Sequence, residues 1–267
     1  MQRIGGLQSG LDLWEIGIIP SLLSNSGTWA GLKTSHLKEL DEIQEYFLKR
    51  LLSVPNSTPK PALLHDTETL KMKSRIHKNI LNFVKHTSML DTNDLAKEIL
   101  DEQVSNNWSG LVKEAIQISE DLKVEGLLDE KVSKKRLKNV IRTSVRDRNE
   151  DEISEEIKRY KKMTILREEK TKKNNYIKKE NIPHARVVFR HRCEMFDSKL
   201  NLKNNYKYKE ENYLCDSCES KQDDNLHVLY CDSYKELRVG KDLNNNKDLG
   251  TYLLKVLNIR TKLKLTK

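Results

Sequence analysis

The stretch YLCDSCESKQDDNLHVLYC holds Cys215, Cys218, His227 and Cys231, three of the chain's four cysteines and one of its seven histidines, within seventeen residues. Two cysteines separated by two residues can turn both sulfurs toward one point across a tight turn. His227 and Cys231 stand four apart, so one helical turn sets them on the same face. Three thiolates and one imidazole make a closed tetrahedral set of the structural zinc kind, with no position left for the water that a catalytic zinc activates. The module is poor in apolar residues and has little core of its own. Structural Zn²⁺ binding, on the order of 10–16 kcal/mol in short peptides, is ample to fold it. The competing reading, scattered free thiols beside a surface or packed histidine, leaves unexplained why no other segment pairs its cysteines. Cys193, on an expected helix near Val188, Phe189 and Phe196, reads instead as a buried free thiol. His184 and His191 have no partner that the sequence identifies.

The elements that must position these ligands read as helices. In 267 residues there are only ten glycines and five prolines, 36% of residues are hydrophobic and 33% charged, and the mean hydropathy is -0.73. That balance suits helices with wide solvated faces and implies a mainly α, multi-helix assembly with a small CCHC knuckle near the C-terminus. No apolar run approaches a membrane span. Four cysteines in so long a chain do not make a disulfide scaffold, so an intracellular, reducing setting is expected, with nucleus and cytoplasm both open.

Periodicity places helices along most of the chain. Leu7–Leu23 is expected to stop or kink at Pro20. Ser35 can cap a helix through Leu37, Leu40, Ile43, Phe47, Leu48 and Leu51, which Pro55, Pro59 and Pro61 end. Further stripes cover Leu70–Val84, a helix from Asp91 or Thr92 that buries Leu95, Ile99 and Leu100, and one from Ser109 through Val112, Ala115 and Leu122. A basic helix opens at Ser133 with a break near Asn149, and a second piece runs from Glu152 to about Lys172. Thr171–Asn181 reads as a linker. Pro183 suits the first turn of an Arg-rich helix, and Leu249, Leu253, Val256 and Leu257 mark a last amphipathic helix. The expected segments are therefore 1–60, 61–132, 133–180 (basic helices and linker), 181–238 (Arg-rich helix plus knuckle) and 239–267.

Charge is unevenly spread. The net charge is +9, and between Ser133 and Glu180 stand 17 Lys and Arg against 9 Asp and Glu, so eight of the nine excess charges fall there. Such a field attracts polyanions by phosphate neutralisation and counterion release. A solvated helix laced with ion pairs accounts for the same composition.

The segment from Ala185 to Arg238 resembles the C-terminal part of reverse transcriptases from non-LTR (LINE-type) retrotransposons. The likeness rests on the Arg-containing helix (Arg186 to Arg192), then Asp197, Lys199, Asn201, Lys203, Asn204 and Tyr206 ahead of the CCHC ligands, which end in His-hydrophobic-hydrophobic-x-Cys. The upstream stretches LWEIGIIPSLLSNSGTWAGL and LDEIQEYFLKRLLSVPNSTP are similar to the thumb region that follows the polymerase palm in that family. The Tyr-x-Asp-Asp turn that holds Mg²⁺ is missing. The only adjacent aspartates, Asp223 and Asp224, read as solvated loop.

The resemblance implies a non-enzymatic tail of such a polymerase, lacking the palm, that holds RNA or DNA mostly by its backbone, with the remaining reverse transcriptase domains as further partners and no membrane role. Lys134, Lys135, Arg136, Lys138, Arg142, Arg146, Arg186, Arg190 and Arg192 are the expected phosphate contacts, and Tyr206, Tyr208 and Tyr213 the expected stacking rings. The alternative is a helical scaffold or protein-interaction remnant of a mobile element. If the zinc acts locally, replacing Cys215 and Cys218 by Ser should unfold residues 213–238 and spare the other helices.

Overall fold

With so few residues that interrupt i→i−4 hydrogen bonding, the chain is mainly α. The computed structural model describes residues 6–160, 163–168, 176–206 and 213–265. The helices are α1 (Leu7–Asp12), α2 (Ile19–Leu22), α3 (Thr34–Leu52), α4 (Lys60–Thr67), α5 (Met72–Ser88), α6 (Leu95–Ser105), α7 (Leu111–Asp121) and α8 (Lys134–Arg159). There follow α9 (Thr164–Glu168), α10 (Tyr176–Lys179), α11 (Ile182–Arg192), α12 (Lys199–Tyr206), α13 (Asn225–Tyr230), α14 (Lys235–Arg238) and α15 (Asn246–Leu265). Among the described residues the only strand-like pairing is one isolated bridge, Leu214 with Gln222. No helix there is long and apolar enough to cross a membrane.

The chain divides into two units, each drawn from separate stretches and not from the consecutive segments expected. One comprises Met1–Leu13, Tyr46–Thr67 and Glu156–Lys267, the other Trp14–Glu45 and Glu68–Glu155.

In the second unit, α5 is the hub. Ile76, Ile80, Leu81 and Val84 are buried along it, and α6, α7 and the 3-10 turn Ser26–Thr28 pack on it. The turn comes so close that a Cβ on Gly27 would lie 2.8 Å from Phe83 Cβ, so only glycine fits there. On α8, Leu137, Ile141 and Val145 are buried at four-residue spacing.

Several expectations change. Pro20 does not end the first helix: a π-helical stretch, Leu13–Ile18, carries α1 into α2, whose first turn accepts a proline without a donor. The N-caps are Asp94 for α6 and Gly110 for α7. Of the three residues expected to be buried on α6 only Leu100 is; Leu95 and Ile99 are 69% and 46% exposed. The basic helix runs unbroken past Asn149, because that side chain turns inward. Its Oδ1 accepts from the Lys71 backbone N–H at 2.9 Å and Ser74 Oγ at 3.1 Å, serving donors at the start of α5.

In the first unit α11 and α15 form the closest pair. Pro183 occupies the first turn of α11 as expected, and Asn181, read as linker, caps it. Gly250 allows the approach: a Cβ there would meet His184 Cδ2 at 2.9 Å. The supposed linker contains α10, with Tyr176 and Ile177 buried; residues 171–175 lie outside the described residues. Tyr176 donates its hydroxyl to Asp66 Oδ2 at 2.6 Å, and Arg192 donates to the same carboxylate from Nε at 2.8 Å and Nη2 at 3.1 Å. His65 Nδ1 completes the ring at 2.9 Å. Burial alone would raise the Asp66 pKa, but Arg192 and His65 hold it far below the usual carboxylate range.

Candidate metal centre

The four ligands come from a hairpin-like loop and a short helix, both fixed by local hydrogen bonds. Cys215 N–H donates to Lys221 O at 2.9 Å and Asp223 N–H to Tyr213 O at 2.8 Å, flanking the bridge at Leu214 and Gln222. Between them the Cys-x-x-Cys segment is drawn into a turn by Glu219 N–H donating to Cys215 O at 2.8 Å. Asp224 then starts α13, its Oδ1 accepting from His227 N–H at 2.6 Å, and Cys231 N–H closes the helix on His227 O at 2.7 Å.

The consequence is convergence. The ligand atoms of Cys215, Cys218, His227 and Cys231 all lie within 4.8 Å of one another. Cys215 Sγ is 4.0 Å from Cys231 Sγ, and Cys218 Sγ is 3.3 Å from His227 Nε2. A tetrahedral Zn²⁺ with sulfurs at about 2.3 Å and a nitrogen at about 2.0–2.1 Å spaces its ligands by roughly 3.6–3.8 Å. The cluster fits that geometry with small adjustments. Cys215 and Cys231 are buried, while Cys218 and His227 keep partial access to solvent, leaving a side through which an ion can enter.

The thiols differ in character. Burial tends to raise Cys218, but the Ser220 hydroxyl, 3.3 Å away, and the backbone N–H groups of Ser220 and Lys221 bring it down to about 6. Burial, with help from the Cys215 sulfur, pushes Cys231 up to about 11. Cys193 is fully buried, its thiol raised chiefly by that burial, and stands outside the cluster, as expected.

Buried polar contacts tie the ligand loop to the rest of the unit. Asp223 is not solvated: it is buried, accepting from Arg260 Nη2 at 2.6 Å and Nη1 at 3.0 Å and from the Lys199 backbone N–H at 2.8 Å. Arg260 also donates from Nε to Tyr234 Oη at 3.2 Å and from Nη1 to Asp197 O at 2.9 Å. Tyr234 Oη lies 2.6 Å from Ser217 Oγ, inside the Cys-x-x-Cys turn. Asn225 Nδ2 donates to His191 O at 2.9 Å, the Tyr252 hydroxyl donates to Val228 O, and Arg238 donates to Leu229 O and Cys231 O. None of these partners was read from the sequence. A lone Arg following Leu249, Leu253 and Val256 on a buried stripe was the available signal for Arg260.

The expected phosphate contacts part company. Lys134, Lys135, Arg136, Lys138, Arg142 and Arg146 are all exposed on α8. Arg146 pairs with Glu150 at 2.8 Å, whereas Lys135, Arg136, Lys138 and Arg142 form no ion pair among the described residues. On the Arg-rich helix, Arg192 is a correction. Arg192 is buried against Asp66. Arg186 donates to Leu51 O at 3.1 and 2.9 Å and Arg190 to Ser53 O at 3.2 Å, serving carbonyls at the C-terminal end of α3. Arg192 keeps no face for a phosphate, whereas Arg186 and Arg190 remain half-buried, Arg190 Nη1 lying 3.8 Å from Asp197 Oδ2. Tyr213 is half-buried under Lys203 Nζ, 3.9 Å from its ring centroid. Tyr208 and the Tyr206 side chain lie outside the described residues.

No protein-family model, curated protein or solved structure matches this chain.

Proposed function

We propose that this chain is a zinc-stabilised, non-enzymatic nucleic-acid-binding part of a LINE-type reverse transcriptase. The observation that carries the reading is the exposed flank of α8, where Lys135, Arg136, Lys138 and Arg142 stand without carboxylate partners in a chain that pairs cations closely elsewhere. Uncompensated positive charge along one helix is the footprint of a polyanion's backbone. The donor set of three thiolates and an imidazole suits Zn²⁺, which supplies folding energy to the module around it. With four protein ligands its coordination is complete, so its role is structural. Binding is then mostly sequence-nonspecific.

A second reading, a protein-interaction scaffold, has one observation in its favour. On α6 and just beyond it Leu95, Ile99, Val104 and Trp108 are 69%, 46%, 42% and 52% exposed. Retention of single-stranded RNA and duplex DNA on filters across a salt series separates the two. The nucleic-acid reading expects affinity to fall linearly on a log–log plot, by about 0.7–0.9 per phosphate neutralised. Absence of retention at low salt leaves the scaffold. Metal content of the purified chain tests the zinc separately.

A further inference from the structure

Two side-chain contacts show that α5 and α8 run antiparallel. At the start of α5, Lys71 N–H meets Asn149 Oδ1 at 2.9 Å; toward its end, His86 Nδ1 meets Lys134 Nζ at 3.0 Å. Lys78 lies between those pins, half-buried. The charges that act on it are Arg75, Glu15, Lys138 and Arg142. Glu15 is already clasped by both terminal nitrogens of Arg75. Lys138 and Arg142 form no ion pair among the described residues, and neither does Lys78. The two pins fix the register, 71 opposite 149 and 86 opposite 134, which sets Lys78 level with Arg142 and about one turn from Lys138, three cations with no ion-pair partner among the described residues.

We propose that the seam between α5 and α8 is a phosphodiester-binding track in which Lys78 is the recessed anchor and Lys134, Lys138 and Arg142 form the outer wall. The assignment rests on the nucleic-acid reading above and locates its contact surface. A lysine on a solvated face keeps its head in water. Here the ammonium is drawn toward the protein beside like charges, an arrangement that costs stability when no anion is present and is relieved when one is. Burial and the neighbouring cations accordingly lower the Lys78 pKa. Lys134 to Arg142 spans eight residues, about 12 Å of helix. That length suits a linear polyanion better than a single small anion.

The test is the salt dependence of binding to a fluorescein-labelled single-stranded RNA for the wild type, Lys78→Met, Lys78→Arg and Lys113→Met. Methionine keeps the apolar stem, and Lys113 is an exposed cation on α7 that forms no ion pair among the described residues. Lys78→Met is expected to lower the log–log slope by about 0.7 and to weaken binding about four-fold near 0.15 M salt. It should raise the thermal midpoint at the same time, which a lysine needed only for folding would not do. Lys78→Arg and Lys113→Met should match the wild type. A slope that Lys78→Met leaves unchanged, with wild-type binding intact, overturns this proposal alone; a wild type that binds no RNA at low salt overturns it together with the functional reading. Competition by polyglutamate equal to that by unlabelled RNA would assign the seam to an acidic polypeptide and likewise overturn it.

Discussion

Arg260 Nη2 lies 2.6 Å from Asp223 Oδ1 with both residues buried, so the last long helix is ionically locked to the loop that carries the candidate metal ligands. Asp223 immediately precedes Asp224, which caps the helix bearing His227; Arg260 also holds Tyr234, which reaches Ser217 between the first two cysteines. One guanidinium thus braces both halves of the ligand set.

Removing either partner leaves a buried charge uncompensated, at about 3–5 kcal/mol. Arg260→Met and Asp223→Asn are each expected to lower the thermal midpoint on the order of 10 °C. The metal should also bind about 10–100-fold more weakly, as measured by competition with a chromophoric chelator. Single variants that melt like the wild type would contradict the bracing role.

Chelation should be felt beyond the knuckle. Val228, Cys231 and Tyr234 are buried in the unit, and the loop is bonded to α11, α12 and α15. Hydrogen exchange after zinc removal is therefore expected to quicken in α11 and α15 as well as in residues 213–238, while α5 and α7 keep their protection. This replaces the purely local unfolding anticipated from the sequence. An increase confined to 213–238 would restore that simpler picture.

His191 predicts a specific acid sensitivity. It is buried, its Nδ1 has no hydrogen-bond partner, and burial lowers its pKa to about 4 against an ordinary value of 6.5. The folded state therefore resists protonation that the unfolded chain accepts, so stability is full above about pH 6.5 and falls as pH drops toward 4. Between pH 7 and 5 this residue accounts for roughly 2 kcal/mol. Urea unfolding of wild type and His191→Phe at the two pH values should show the variant losing less by about that amount. Parallel losses would remove His191 as the cause.

Asn149 should behave as an internal cap. Asn149→Leu leaves the Lys71 N–H without its acceptor and is expected to cost about 1–3 kcal/mol, whereas Asn149→Asp, which keeps the oxygen, should cost less. Thermal melts of the two variants check the order.

What the sequence already contained is what the backbone decides locally. A two-residue gap across a turn pairs Cys215 with Cys218 and a three-residue gap along a helix pairs His227 with Cys231, and uninterrupted helices follow from sparse Gly and Pro. The Asp94 and Asp224 caps were open to the same reasoning and were missed.

Tertiary structure alone decided which charges remain available. An arginine looks the same in the sequence whether it meets water, a carbonyl at a helix end, or a carboxylate 126 positions away, as Arg192 meets Asp66. Arg192 was therefore read as a phosphate contact, Asp223 as solvated, and Lys78 passed unnoticed. Ligand spacing is a property of a few consecutive peptide units. Charge pairing depends on which distant side chains share a low-dielectric neighbourhood, and only the packed chain settles that.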